Sequence, residues 1–123
     1  YQHEEEENLM YFEKISKDFQ LAAEAGADIV QGSQAHSPMG FEFVGDHLIH
    51  YGLGNFLFDQ MVEWNRREFI DRHILYNGKY INTELLTATL VDWSRPTPMT
   101  EEERTQLLKE IFTVSLKRKN ENK

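Results

Sequence analysis

The chain has 123 residues and no cysteine, which removes disulfides and thiolate metal sites from consideration. This does not fix a compartment, because a domain of this size can live outside the cell without disulfides. Long apolar runs are absent too. None approaches the roughly 18 residues that a membrane-spanning helix needs. No secretory leader is visible either. The opening stretch YQHEEEENLMYF has no initiator methionine and reads as a cut into a longer protein. Basic residues are few, 13 Lys and Arg against 21 Asp and Glu, for a net charge of −8. Such a surface repels phosphate backbones, so nucleic acid is a poor partner. A phosphorylated small substrate is not excluded, since a bound metal reverses the local field.

Core material is plentiful: 40% of residues are hydrophobic, with eight Phe, five Tyr and two Trp. The length suits one domain. Phe12, Ile15, Phe19, Ala22 and Ala23 recur at spacings of three and four, which predicts a helix over about 9–25. Gly26 stands where a left-handed cap is wanted, and the run Ala27 to Val30 then reads as a short buried strand. With Tyr1-Gln2 as the end of an earlier strand, residues 1–30 would form a β-α-β unit with parallel strands.

Antiparallel structure follows. Phe41 to Val44 and His47 to Tyr51 predict a hairpin with its turn at Gly45-Asp46. Asn77-Gly78 predicts a second hairpin, with strands near Phe69 to Tyr76 and Lys79 to Asp92. Pro96 and Pro98 are expected to break that strand. Thr100 and Glu103 form a capping box before a last helix, whose apolar face carries Leu107, Leu108, Ile111 and Phe112. The fold class expected is α/β, a β-α-β unit followed by antiparallel strands and a closing helix. One domain spans 1–116, and 117–123 form a charged, frayed tail.

Three stretches could carry chemistry. The loop Gly32-Ser33-Gln34-Ala35-His36-Ser37-Pro38 leaves the short strand at the edge where open α/β sheets bind ligands. A neutral imidazole there is a good metal ligand, although a lone histidine also serves as an ordinary loop cap. The acidic run after His3, Glu4 to Glu7, falls at the same edge and could face a metal or act as a base, although a solvated turn is the plainer reading for most of it. The segment Tyr51 to Gln60 offers the Asn55 amide, accessible glycine backbone and Asp59, or else a structural bulge. His47, His50 and His73 sit in strand contexts and read as surface or satisfied core histidines.

The stretch from Ala25 to Gln60 resembles the C-terminal half of the bacterial capsule-synthesis (poly-γ-glutamate synthesis) CapA family. The resemblance rests on Ala25 to Asp28, the apolar pair Ile29-Val30, the loop Gly32 to His36, the strand-turn stretch Phe41 to Ile49, and Tyr51 to Phe58. It covers about residues 1–60 well and 61–112 less securely. It implies a partial four-layer α/β/β/α sandwich like that of calcineurin-type metallophosphoesterases, with a metal site at the strand ends. It also implies an extracytoplasmic setting at the cell envelope.

By the same resemblance, Gln2 stands where the family has a metal-binding histidine, and Glu6 matches a motif glutamate. Gln34 takes the place of the first loop histidine, while His36 is kept. The implied metal set is His36, Gln34 and Gln2; the implied catalytic residues are His36 and Glu6. Ser33, Asn55 and Asp59 would shape the substrate pocket. Two glutamines on one metal's side suit Mn or Mg better than Zn, with one ion or none held by this chain alone. The implied activity is metal-dependent phosphoester hydrolysis on an envelope polymer or its precursor, expressed by a full-length protein and not by this stretch alone. The alternative is a non-catalytic polymer- or partner-binding module with a degenerate metal site. The expected partners are an N-terminal half carrying the other ligands, or a second copy of the chain.

Overall fold

A computed structural model describes residues 13–59 and 62–121 of the chain. The order of elements is α1 (Glu13–Glu24), β1 (Ile29–Gln31), β2 (Phe41–Val44), β3 (His47–His50), a 3-10 turn (Glu63–Arg66), β4 (Arg67–Tyr76), β5 (Lys79–Val91), β6 (Arg95–Pro98) and α2 (Glu101–Glu121). The strands make two three-stranded sheets, ordered β1-β3-β2 and β4-β5-β6. The chain is thus α/β, as the residue pattern suggests. The earlier strand expected at Tyr1-Gln2 lies outside the described residues.

Helix α1 buries Ser16 and Ala23 and half-buries Ile15 and Phe19, as its three-four spacing requires. It closes on Gly26, at φ 106°, with paired bonds from Gly26 N to Ala23 O and from Ala27 N to Ala22 O. That pairing satisfies two carbonyls the helix end would otherwise leave open. The turn feeds β1, which runs parallel to β3 in the register Val30 to Ile49. Strand β2 pairs antiparallel on the other side of β3, Phe43 opposite Leu48. Alternation along β3 divides its side chains. Ile49 joins Ala23, Met39 and Tyr51 in a cluster completed by Ile15, Phe19 and Val30, while Leu48 and His50 face the other way.

The second hairpin turns at Asn77-Gly78, both at positive φ, with a bulge between Ile74 and Leu75. Its strands are Arg67–Tyr76 and Lys79–Val91. The prolines do not break the sheet. Pro96 pairs with Leu90 and Pro98 with Ala88, within a third strand. Residues two apart in a strand point their backbone nitrogens to the same side. Both prolines therefore turn their missing N–H off the edge of the sheet, where no bond is lost.

Phe69 points inward and forms a second cluster with Leu107 and Ile111 of α2, joined by Phe41, Leu53 and Leu85. The capping box is formed: Thr100 N donates to Glu103 Oε2 at 2.8 Å and Glu103 N to Thr100 Oγ1 at 3.3 Å. Phe112 is more exposed than the periodicity predicts, resting edge-on against Phe41 at 5.1 Å. The helix runs from Glu101 to Glu121. A capped start and the i,i+4 backbone ladder carry it past Ser115, which is buried. Layers follow in the order α1, first sheet, second sheet, with the Leu107–Ile111 face of α2 wedged beside Phe41 and Phe69.

A three-residue ribbon ties the sheets together. Gly52 O accepts from Met39 N at 2.9 Å, and Leu53 O accepts from Phe69 N at 2.7 Å. Leu53 bridges Pro38, and Gly54 bridges Glu68. Gly54 sits at φ 86°, and a side chain there would collide with Arg67 O.

Candidate functional site

The loop after β1 and the segment after the ribbon meet at His36. The loop starts with Gly32 N bonded to His50 O at 2.8 Å, which holds it on the end of β3. Pro38 and Met39 then fasten its far end to Leu53 and Gly52. Between these anchors the chain passes through Gln34 at φ 32°, in the left-handed region. Ser37 is buried, Ser33 and Gln34 are exposed, and His36 is half-buried.

His36 Nδ1 lies 2.9 Å from Asn55 Oδ1. The Asn55 amide nitrogen donates to Asn65 O at 3.0 Å, on the 3-10 turn. Phe58 leans against the imidazole at 4.7 Å between ring centres, with 47° between the planes. The turn that carries Asn65 is itself fixed to β5, where Arg66 Nε donates to Leu90 O at 2.9 Å. Beyond the ring, Phe56, Leu57 and Phe58 are exposed, and so is Asp59.

Among the expected site residues, the structure thus brings His36 and Asn55 into direct contact. It leaves Ser33, Gln34 and Asp59 open to solvent. Gln2 and Glu6 lie outside the described residues. Among the described residues, no group of three or more His, Asp or Glu side chains is placed to hold a metal ion. His36 nonetheless fits a single ligand position. A metal-bound imidazole characteristically donates its other ring N–H to an oxygen, as His36 is placed to do.

Two further polar side chains are buried in the fold. Glu68 is 1% exposed, and among the described residues neither of its carboxylate oxygens has a hydrogen-bond partner. Desolvation pushes its carboxyl up from 4.5 to about 7. It sits opposite Gly54, next in sequence to Asn55. A charged residue in a strand of mixed polarity gives no signal of burial, so sequence alone had no handle on it. The second feature is His50, whose Nδ1 lies 2.6 Å from Asp71 and whose Nε2 lies 3.2 Å from Met39 O. This confirms His50 as a satisfied core histidine. His73 is likewise bonded, to Thr83 Oγ1 at 2.8 Å. Beside His50, a cavity of about 210 Å³ opens between the sheets, walled by Phe41, Phe43, Leu48, Tyr80, Leu85 and Phe112.

Tyr51, which opens the segment leading to Asn55, is anchored from behind. Its ring stacks on Phe19 at 5.4 Å, and its hydroxyl bonds Glu42, which also accepts from Gln20 Nε2 at 2.8 Å. Helix α1 thereby holds one end of the segment that carries Asn55, and β4 holds the other.

Residues 6–60 match the model of a family described as bacterial capsule synthesis protein PGA_cap. The matched stretch contains α1, the first sheet, the His36 loop and Asn55, and it includes the residues on which the CapA resemblance rests. No curated protein and no solved structure matches the chain.

Proposed function

We propose that this protein, with its capsule-synthesis segment at residues 6–60, acts at the extracytoplasmic face of the cell envelope as a metal-dependent hydrolase of phosphoester bonds. Its substrate class is a capsular or poly-γ-glutamate polymer or its precursor. The single observation that carries this reading is the His36–Asn55 contact, which lies inside the matched stretch and orients an imidazole at a strand end. The partial four-layer sandwich belongs to the same proposal. It is supported by the succession of α1, first sheet and second sheet, with His50 and Asp71 in contact across the two sheets.

His36 would hold the ion through Nε2, with Gln34 and Gln2 as oxygen donors beside it and Glu6 as a base. The remaining ligands would come from another part of a longer chain or from a partner. A divalent ion bound there would supply Lewis-acid polarisation of a phosphoryl oxygen. The residues of this chain do the rest: the glycine-lined ribbon fixes Asn55, Asn55 orients His36, and Phe58 covers one side of the ring.

The exposed ring of Phe58 against His36, with Phe56 and Leu57 exposed just before it in the chain, favours a second reading. In it, the same cleft holds a polymer or a partner without turning it over. Elemental analysis of the full-length protein, with turnover of a chromogenic phosphodiester under added Mn or Mg, separates the two. Bound metal and metal-stimulated turnover are the expected results. A metal-free protein with no stimulated turnover overturns the hydrolase and leaves the binding module.

A further inference from the structure

We infer that Asn55 is a positioning residue that sets the tautomer of His36, with the hydrogen on Nδ1 and the lone pair on Nε2. The argument starts from a group whose role is unambiguous. The backbone carbonyl of Asn65 can only accept, so the atom of Asn55 that faces it at 3.0 Å is the amide nitrogen. The other end of the Asn55 side chain is then the oxygen, and this oxygen faces His36 Nδ1 at 2.9 Å. An amide oxygen also only accepts, so Nδ1 carries the hydrogen. A neutral imidazole has a single N–H, which leaves Nε2 as the basic nitrogen.

The anchor is a main-chain atom, so the relay depends on the placement of the 3-10 turn. Arg66 pins that turn to β5 through Leu90 O at 2.9 Å. The second sheet therefore reaches the ring of His36 through Leu90, Arg66, Asn65 and Asn55. The turn and β5 lie beyond residue 60, where the family match ends, so the choice of tautomer is imposed from outside the matched stretch. Asn55 is 7% exposed, which keeps water from competing for either end of its amide. The inference holds whether or not a metal is bound at Nε2, and its test requires no metal and no turnover.

The test is a long-range proton–nitrogen NMR spectrum of uniformly 15N-labelled protein at a pH where the imidazoles are neutral. A His36→Gln variant assigns the His36 signals among the five histidines. In the wild type, Nδ1 is expected at a protonated-nitrogen shift and Nε2 at a lone-pair shift. Asn55→Ala is expected to lose that pattern and give averaged shifts. Asn55→Asp, which cannot donate to Asn65 O but still offers Nδ1–H an oxygen acceptor, is expected to keep the hydrogen on Nδ1. A wild-type spectrum with the hydrogen on Nε2, or an Asn55→Ala spectrum unchanged from wild type, overturns the assignment. Should Asn55→Ala fail to fold, the wild-type and Asn55→Asp spectra decide the matter.

Discussion

His50 on β3 places its Nδ1 2.6 Å from Oδ2 of Asp71 on β4, with the two side chains 1% and 0% exposed. The pair spans the two sheets, and His50 Nε2 reaches Met39 O on its other side. Both ring nitrogens thus face oxygen atoms inside the core, and removing either partner strands a buried polar group. Asp71→Leu or His50→Leu alone should cost about 3 kcal/mol in urea unfolding. The double replacement should cost less than the sum of the two. Additive losses in that cycle would show that the contact does not couple the sheets.

Glu68 gives stability a pH dependence of definite sign. Its carboxyl is lifted from 4.5 to about 7 by burial, so the folded chain holds this proton more tightly than the unfolded one. The contribution is fully present below pH 4.5 and falls as pH rises through about 7, after which it is lost. The fall amounts to roughly 3 kcal/mol for a shift of this size. Denaturant midpoints of the wild type and Glu68→Gln, measured across that window, should diverge as pH rises, with the variant the more stable at alkaline pH. Parallel curves would contradict the burial of an unpartnered acid.

At Gly54 both space and backbone angle forbid a side chain. The residue sits at φ 86°, with Arg67 O where a Cβ would go. Gly54→Ala should lose about 2 kcal/mol or more. It should also disturb the His36 resonances, because Asn55 is the next residue. A fully stable variant with unchanged His36 signals would show that the approach is slack.

The β5–β6 turn holds a bulky residue in a left-handed conformation. Asp92 and Trp93 have φ of 50° and 66°, and Trp93 is 57% exposed. A residue with a Cβ pays about 1–2 kcal/mol there, and glycine escapes that cost at some loss of chain entropy. Trp93→Gly should therefore raise thermal stability by about 0.5–1 kcal/mol. A lower melting temperature would mean that the indole contributes packing that its exposure does not suggest.

Much of the architecture was legible because it is local. The Gly26 cap, the turns at Gly45-Asp46 and Asn77-Gly78, and the Thr100–Glu103 box each announce themselves within a few residues. Strand β6 was hidden because a proline's effect depends on which edge its nitrogen faces, a property of register. The site was legible in part. His36 and Asn55 stood out as residue types, yet their contact joins positions 19 apart and is completed by a main-chain carbonyl, which no side-chain pattern encodes. Glu68 was missed because nothing in a strand of mixed polarity marks which of its charged residues is buried.

The ribbon at residues 52–54 has a consequence for how this molecule breathes. Its carbonyls hold the amides of Met39 and Phe69, one beside the His36 loop and the other in the second sheet. A fluctuation that frees the loop from Gly52 pulls on the neighbouring bond at Leu53. Opening at His36 should therefore be cooperative with separation of the sheets. The two amides should exchange with solvent deuterium at matched rates.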